Sequence, residues 1–127
     1  MTPQFTTQIQ ILKGNQVIAD QCNVGVRFFE RLRGLIGKSP VEISAGMLLP
    51  DCNDVHMWWM STSIDIVFLK RMDDTTWKVL RIFSSVKPWR LLPIWIREAN
   101  DTLELSAGTC IRLGIGEGDL LQWSNLS

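Results

Sequence analysis

Ile64-Asp65-Ile66-Val67-Phe68-Leu69 is followed by Met72-Asp73-Asp74 and then by Trp77-Lys78-Val79-Leu80-Arg81-Ile82-Phe83. The first run is apolar on both faces apart from one carboxylate, which suits a central strand better than an edge. The triplet turns the chain. In the last run Trp77, Val79, Arg81 and Phe83 alternate with Lys78, Leu80 and Ile82, the period of two that a strand requires. These pieces predict an antiparallel hairpin pairing residues 64–69 with residues 77–83.

The flanking segments carry the same signature. Residues 8–12 alternate polar and apolar, Gly14-Asn15 supplies turn chemistry and residues 16–22 resume with Val17 and Ile18, which predicts a hairpin. Val26, Phe29, Leu32 and Ile36 then fall three or four apart, with Arg27, Arg31 and Arg33 largely off that stripe. This is a helical period, with Asn23 placed to cap it and Gly37 to end it. Gly34 inside it costs up to about 1 kcal/mol relative to alanine, a cost that close packing against a neighbouring backbone would explain. Residues 45–49 are short and apolar, and Pro50-Asp51 separates them from residues 55–60.

Towards the C-terminus, Pro88 and Pro93 argue against regular structure in residues 88–96. That stretch nevertheless carries Trp89, Leu92 and Trp95, which must be covered by folding back over an open end of the β-structure or by docking on a partner. Leu103-Glu104-Leu105 reads as a short strand, Ser106 as the cap of a helical turn through Leu113, Gly114 as its stop, and residues 120–123 as a last strand. Many short strands with frequent turns and one or two short helices predict a mainly β chain, a β-sandwich or flattened barrel, in one globular domain over residues 1–127. Phe29, Leu32, Ile66, Phe68, Leu103 and Leu105 are the expected centre of the core.

Composition narrows the function classes. The 127 residues are 46% hydrophobic and 20% charged, too apolar for a disordered chain. The sequence contains no uncharged run long enough for a membrane span. Thirteen basic residues balance thirteen acidic ones, so no net field draws nucleic acid, and the combination of Arg27, Arg31, Arg33 and Lys38 with Trp58 and Trp59 is read as a solvated face. The first ten residues lack the charged and apolar regions of a signal peptide, so a cytoplasmic chain starting at Met1 is expected. Cys22, Cys52 and Cys110 are scattered and odd in number, which argues for reduced thiols and against a structural zinc site.

Several pieces together carry a resemblance. Arg31-Leu32-Arg33-Gly34-Leu35-Ile36-Gly37 is followed by Gly46-Met47-Leu48-Leu49, by Cys52-Asn53-Asp54-Val55-His56 with Met60, and by Ile64 to Leu69. Pro88-Trp89-Arg90, Leu103-Glu104-Leu105 with Ala107-Gly108, Gly114-Ile115 and Gly118-Asp119 complete the order. In this order and spacing the sequence resembles domain-of-unknown-function family 192. The resemblance implies a compact, mainly β, sandwich-like domain and no reaction. Met57 stands where relatives usually place threonine after the histidine, and Lys70 where they place an acidic or polar residue.

The candidate ligand-binding residues are His56, Trp58, Met60, Asp65, Arg33 and Glu104. Asp65 and Glu104 interrupt apolar strands, and Arg31 or Arg33 would be suitable bidentate partners for either. The first function expected is a non-enzymatic binding or accessory module, taking a small ligand around His56, Trp58 and Asp65 or a protein partner at Trp89, Leu92 and Trp95, with no cofactor. One alternative is a small enzyme with His56 as general base and Asp65 or Glu104 as its orienter. Another is a copper(I) binder through Cys52, His56 and Met60, whose spacing of four and four puts thiol, imidazole and thioether on one face.

Overall fold

The computed structural model describes residues 7–25, 46–55, 57, 62–88 and 93–125. Along the chain these form β1 (Thr7–Lys13), β2 (Gln16–Val24), β3 (Met47–Leu49), β4 (Asp54–Val55), β5 (Ile64–Arg71), β6 (Thr76–Val86), β7 (Ile94–Trp95), β8 (Asp101–Ser106), α1 (Thr109–Leu113) and β9 (Leu120–Asn125). Both hairpins expected from the sequence are present, β1 with β2 and β5 with β6. In the second, Ile66 lies opposite Phe83 and Arg71 opposite Trp77. The strict alternation expected of β6 is broken, because the register shifts between Phe68 and Leu69 and leaves Leu80 as an extra residue. After this bulge Ile82, rather than Arg81, packs against the same cluster as Trp77 and Val79.

Seven strands close a barrel in the order β1-β2-β3-β8-β5-β6-β9, with β9 returning to pair with β1. The β2–β3 pairing is parallel and the others antiparallel. Closure removes the open edges that an isolated sheet would present. Gly46 enters β3 with φ +90°, and a Cβ there would sit 3.3 Å from the Cys22 sulfur, so backbone and space both favour glycine.

Two clusters explain why β5 is apolar on both faces. Inside the barrel, Val67 and Leu69 pack with Ile9, Ile11, Leu103, Leu105 and Leu121. Outside it, Ile64, Ile66 and Phe68 pack with Val55, Met57, Val86, Ile94 and Ala99, beneath the small β4–β7 sheet. Phe68 also meets Phe83 edge to face, with ring centroids 5.9 Å apart. Ile66, Phe68, Leu103 and Leu105 are thus core residues as expected, whereas Phe29, Leu32 and the 26–36 helix lie outside the described residues. Contrary to expectation, the stretch after Pro93 does form a short strand, and it covers the barrel's outer face rather than an open end. Ile94 is buried there and Trp95 exposed. Among the described residues no helix is long and apolar enough to cross a membrane.

Asp65 joins three elements at the lower end of the barrel. Its carboxylate accepts the backbone N–H of Ser85 (2.8 Å), of Gly108 (3.2 Å) and of Cys110 (2.9 Å). Ser85 marks the second irregularity in the β5–β6 pairing and has φ +50°, while Gly108 and Cys110 begin α1. The helix therefore takes its N-terminal cap from a distant strand. Ser106, expected to be the cap, shares a hydrogen bond with the Thr109 hydroxyl instead, and the cap position belongs to Gly108 in the left-handed conformation. Gly114 closes the helix as expected, at φ +71°. Lys13 Nζ donates to the Gly114 carbonyl (2.7 Å) and pairs with Asp119 (2.9 Å), tying the β1–β2 turn to the end of α1.

Asp65→Ala leaves three backbone donors without their acceptor and should cost on the order of 3–5 kcal/mol in a denaturant titration. Asp65→Asn retains one acceptor oxygen and should cost less. Equal stability of Asp65→Ala and the wild type would contradict the capping role.

Candidate functional site

β5, β6 and β8 bring charged and aromatic residues together at the upper end of the barrel, opposite α1. Arg71 is the last residue of β5, Asp101 the first of β8, and Trp77 the second of β6. The β5–β8 register sets Leu69 against Asp101, and the β5–β6 register sets Arg71 against Trp77. Asp101 is buried at 2% exposure, yet all its acceptor positions are used. Oδ2 accepts from Arg71 Nε (2.8 Å) and from the Trp77 indole Nε1 (2.9 Å). Oδ1 accepts from Arg71 Nη2 (2.6 Å) and from the Asp51 backbone N–H (2.9 Å). A bidentate guanidinium and two further N–H donors are what a buried carboxylate needs in place of water.

The arginine is held from the other side as well. Its Nη2 donates to Asp51 Oδ1 at 2.7 Å, and its backbone N–H donates to Asn100 Oδ1 at 2.8 Å. Hydrogen bonds to Asp101 and then to Asp51 raise the guanidinium above its already high ordinary pKa, so it carries its charge throughout the working pH range. Asp51 adopts φ +53° to make this contact, directly after Pro50 at the end of β3. Cys52 N donates to the Asn100 carbonyl, and the Thr102 hydroxyl donates to the Cys52 carbonyl, which locks the 50–52 segment onto β8.

Above this network lies a cleft of about 340 Å³. Ile9, Val24, Leu48, Trp77 and Trp123 form its apolar floor and wall. Arg71, Asp73, Asp74, Asp101 and Asn125 supply the polar lining. The size is at the lower end of small-molecule sites, and an apolar floor with a few fixed polar groups is their usual composition. Asp73 and Asp74 lie on the exposed β5–β6 turn. The Thr75 backbone N–H, donated at 2.9 Å, draws the Asp73 pKa below its usual value and keeps that carboxylate ionised.

The described lining supplies fixed polar groups over an apolar floor. Among the described lining residues there is no Ser, Thr, Cys, Lys or His to act as a nucleophile. Asp101 has no free acceptor position for a proton, and an arginine does not give one up.

The residues singled out from sequence are elsewhere. His56, Trp58, Met60, Arg33, Trp89 and Leu92 lie outside the described residues. Asp65 and Glu104 are both fully buried but are not brought together. Asp65 lies opposite Leu105 and Glu104 opposite Ile66, so the two carboxyl groups point to opposite faces of the sheet. Asp65 projects with Val67 and Leu69 and accepts three backbone N–H groups, whereas the expected partners Arg31 and Arg33 lie outside the described residues. Glu104 projects with Ile66 and with Met47 of β3, and the residue is not without a partner. Asp65 and Arg71 are six positions apart along β5, about 20 Å at strand rise, so Asp65 takes no part in the upper cleft. The Cys52 thiol is buried and donates to the Asp54 carbonyl at 3.0 Å. Among the described residues no group of three His, Cys, Asp or Glu side chains could hold a metal ion.

Arg71, Trp77 and Asp101 were not singled out by sequence. Charged residues at the ends of two apolar strands are a faint signal of such a pair. It becomes readable only when β5 and β8 are known to be neighbours.

Residues 9–123 match the profile of the DUF192 family, described as uncharacterized ACR. Among solved structures the chain is similar to a protein of unknown function from Novosphingobium aromaticivorans DSM 12444, with 21% identity over 91% of this chain and 84% of that one and a TM-score of 0.73. It is also similar to a "putative transcription regulator" from Sinorhizobium meliloti 1021, with 24% identity over 99% of this chain and 100% of that one and a TM-score of 0.77. At these identities the likeness carries the fold alone. No curated protein matches the chain.

Asp101→Ala strands the buried Trp77 indole N–H and removes the acceptor of the part-buried Asp51 N–H, while the half-exposed Arg71 can return to water. The expected loss is about 2–5 kcal/mol by denaturant titration, and Trp77→Phe, which removes only the indole donor, should cost less. Burial, the largest cause in both cases, pushes the Cys22 and Cys110 thiols up to about 12, and the Asp65 charge adds to the shift of Cys110. Native protein should therefore react with a thiol reagent such as DTNB far more slowly than unfolded protein, in which three thiols titrate. Rapid labelling of the native chain at either residue would contradict its burial.

Proposed function

The chain belongs to the DUF192 family, a family of unknown function, and from that premise we propose that it is a non-enzymatic binding module whose small ligand sits in the cleft at the upper mouth of the barrel. One observation carries the reading. Asp101, saturated by four N–H donors, fixes Arg71 and Trp77 at the edge of a cleft whose floor is made of core side chains. A rigid, preorganised rim over an apolar floor favours binding because little side-chain freedom remains to be lost.

The acid–base alternative with His56 draws on Asp65 or Glu104. His56 lies outside the described residues, and Asp65 is taken up by three backbone N–H groups. A partner surface is the second reading, and Trp95 favours it. This residue is 60% exposed on β7 while the neighbouring Ile94 is buried in the outer cluster. Three free, buried cysteines accord with a reducing compartment such as the cytoplasm.

The cleft is tested by screening small aromatic and aliphatic compounds with 1H–15N correlation spectra. Trp77→Phe and Trp123→Phe assign the two indole signals. Compounds that bind should move both signals, with millimolar or tighter affinity. Binding that instead perturbs only residues around Asp65 and Glu104 would reject the upper cleft as the site.

A further inference from the structure

Resting on the cleft as the binding site, we infer that its ligand is an organic cation, a small molecule with an apolar body and an ammonium or guanidinium end. The site is the cavity itself, and its lining decides the sign of the charge. Among the described residues four carboxylates, Asp51, Asp73, Asp74 and Asp101, stand in or beside the cleft with one guanidinium, that of Arg71. That guanidinium is already committed. Asp101 takes two of the Arg71 N–H groups and Asp51 a third, so its charge is balanced within the wall and leaves little field for an incoming anion. Asp73 and Asp74 then remain as uncompensated charge on the turn above the opening.

The apolar part of the lining favours the same ligand. Trp77 and Trp123 both face the cleft, and indole is the aromatic ring on which a cation gains most. An ammonium on an aromatic or short aliphatic body can place that body over Ile9, Val24 and Leu48 while its charged end meets the acidic rim. An anion of the same shape meets the same floor but must approach carboxylates, which disfavours it.

The experiment compares three molecules of one shape, benzylammonium, benzyl alcohol and benzoate, by titration against the full chain while the Trp77 and Trp123 indole signals are followed. Benzylammonium should bind at least tenfold more tightly than benzyl alcohol, and benzoate should be weakest. Asp74→Asn, an exposed substitution, should weaken benzylammonium severalfold and leave benzyl alcohol unchanged. A short peptide presenting the same ammonium on lysine separates the sources. Tighter binding than benzylammonium assigns the cation to a protein side chain, and weaker binding assigns it to a free amine. Equal or tighter binding of the alcohol or of benzoate overturns the inference while leaving the cleft as a binding site. Failure of all three molecules to move either indole signal overturns both.

Discussion

Both faces of the strand Ile64–Arg71 are withdrawn from water along its first six residues, and this condition organises the molecule. A strand buried on one face needs one layer of cover, whereas this one needs two. The barrel interior supplies the first, through Ile9, Ile11, Leu103 and Leu121. The second is the two-stranded β4–β7 sheet, which brings Val55 and Ile94 onto Ile66 and Phe68. Its neighbour β8 is buried in the same way and joins β5 to the short strand β3. At about 25 cal/mol per Å² of apolar surface, double burial of these two strands stabilises the fold.

An apolar strand of this kind places its polar residues where they can be satisfied, and Asp65 and Arg71 occupy its two ends. At the lower end Asp65 binds the backbone N–H groups of a bulge and of a helix start, so one carboxylate holds β6 and α1 in place. At the upper end Arg71 reaches Asp101 and Asp51 and fixes the segment after β3 against β8. The two ends differ in consequence. Asp65 is enclosed, and its bonds are spent on structure. Arg71 is half-exposed beside a cavity, so the same kind of interaction leaves a shaped, charged rim facing solvent.

That difference bears on function. A site for chemistry needs a group that can take or give a proton, or a nucleophile, near the opening. The described lining of the upper cleft offers a saturated carboxylate, a committed guanidinium, two indoles and two exposed carboxylates. Such a set suits the recognition of shape and charge proposed for it. The DUF192 match and the two structural neighbours bring a shared fold.

The sequence by itself determined the local architecture. The two hairpins, the stop at Gly114 and the burial of Ile66, Phe68, Leu103 and Leu105 follow from side-chain period and turn chemistry, which act between residues a few positions apart. It also showed that the 64–69 run must be buried on both sides, though not what would bury it. The cap of α1 was misread as Ser106 because the true acceptor, Asp65, lies 43 residues upstream of Gly108. The placement of β8 between β3 and β5 was decided only in three dimensions, and with it the meeting of Arg71, Trp77 and Asp101 and the separation of Asp65 from Glu104. Strand order depends on the burial available to the whole chain at once, a condition that no local run of residues contains.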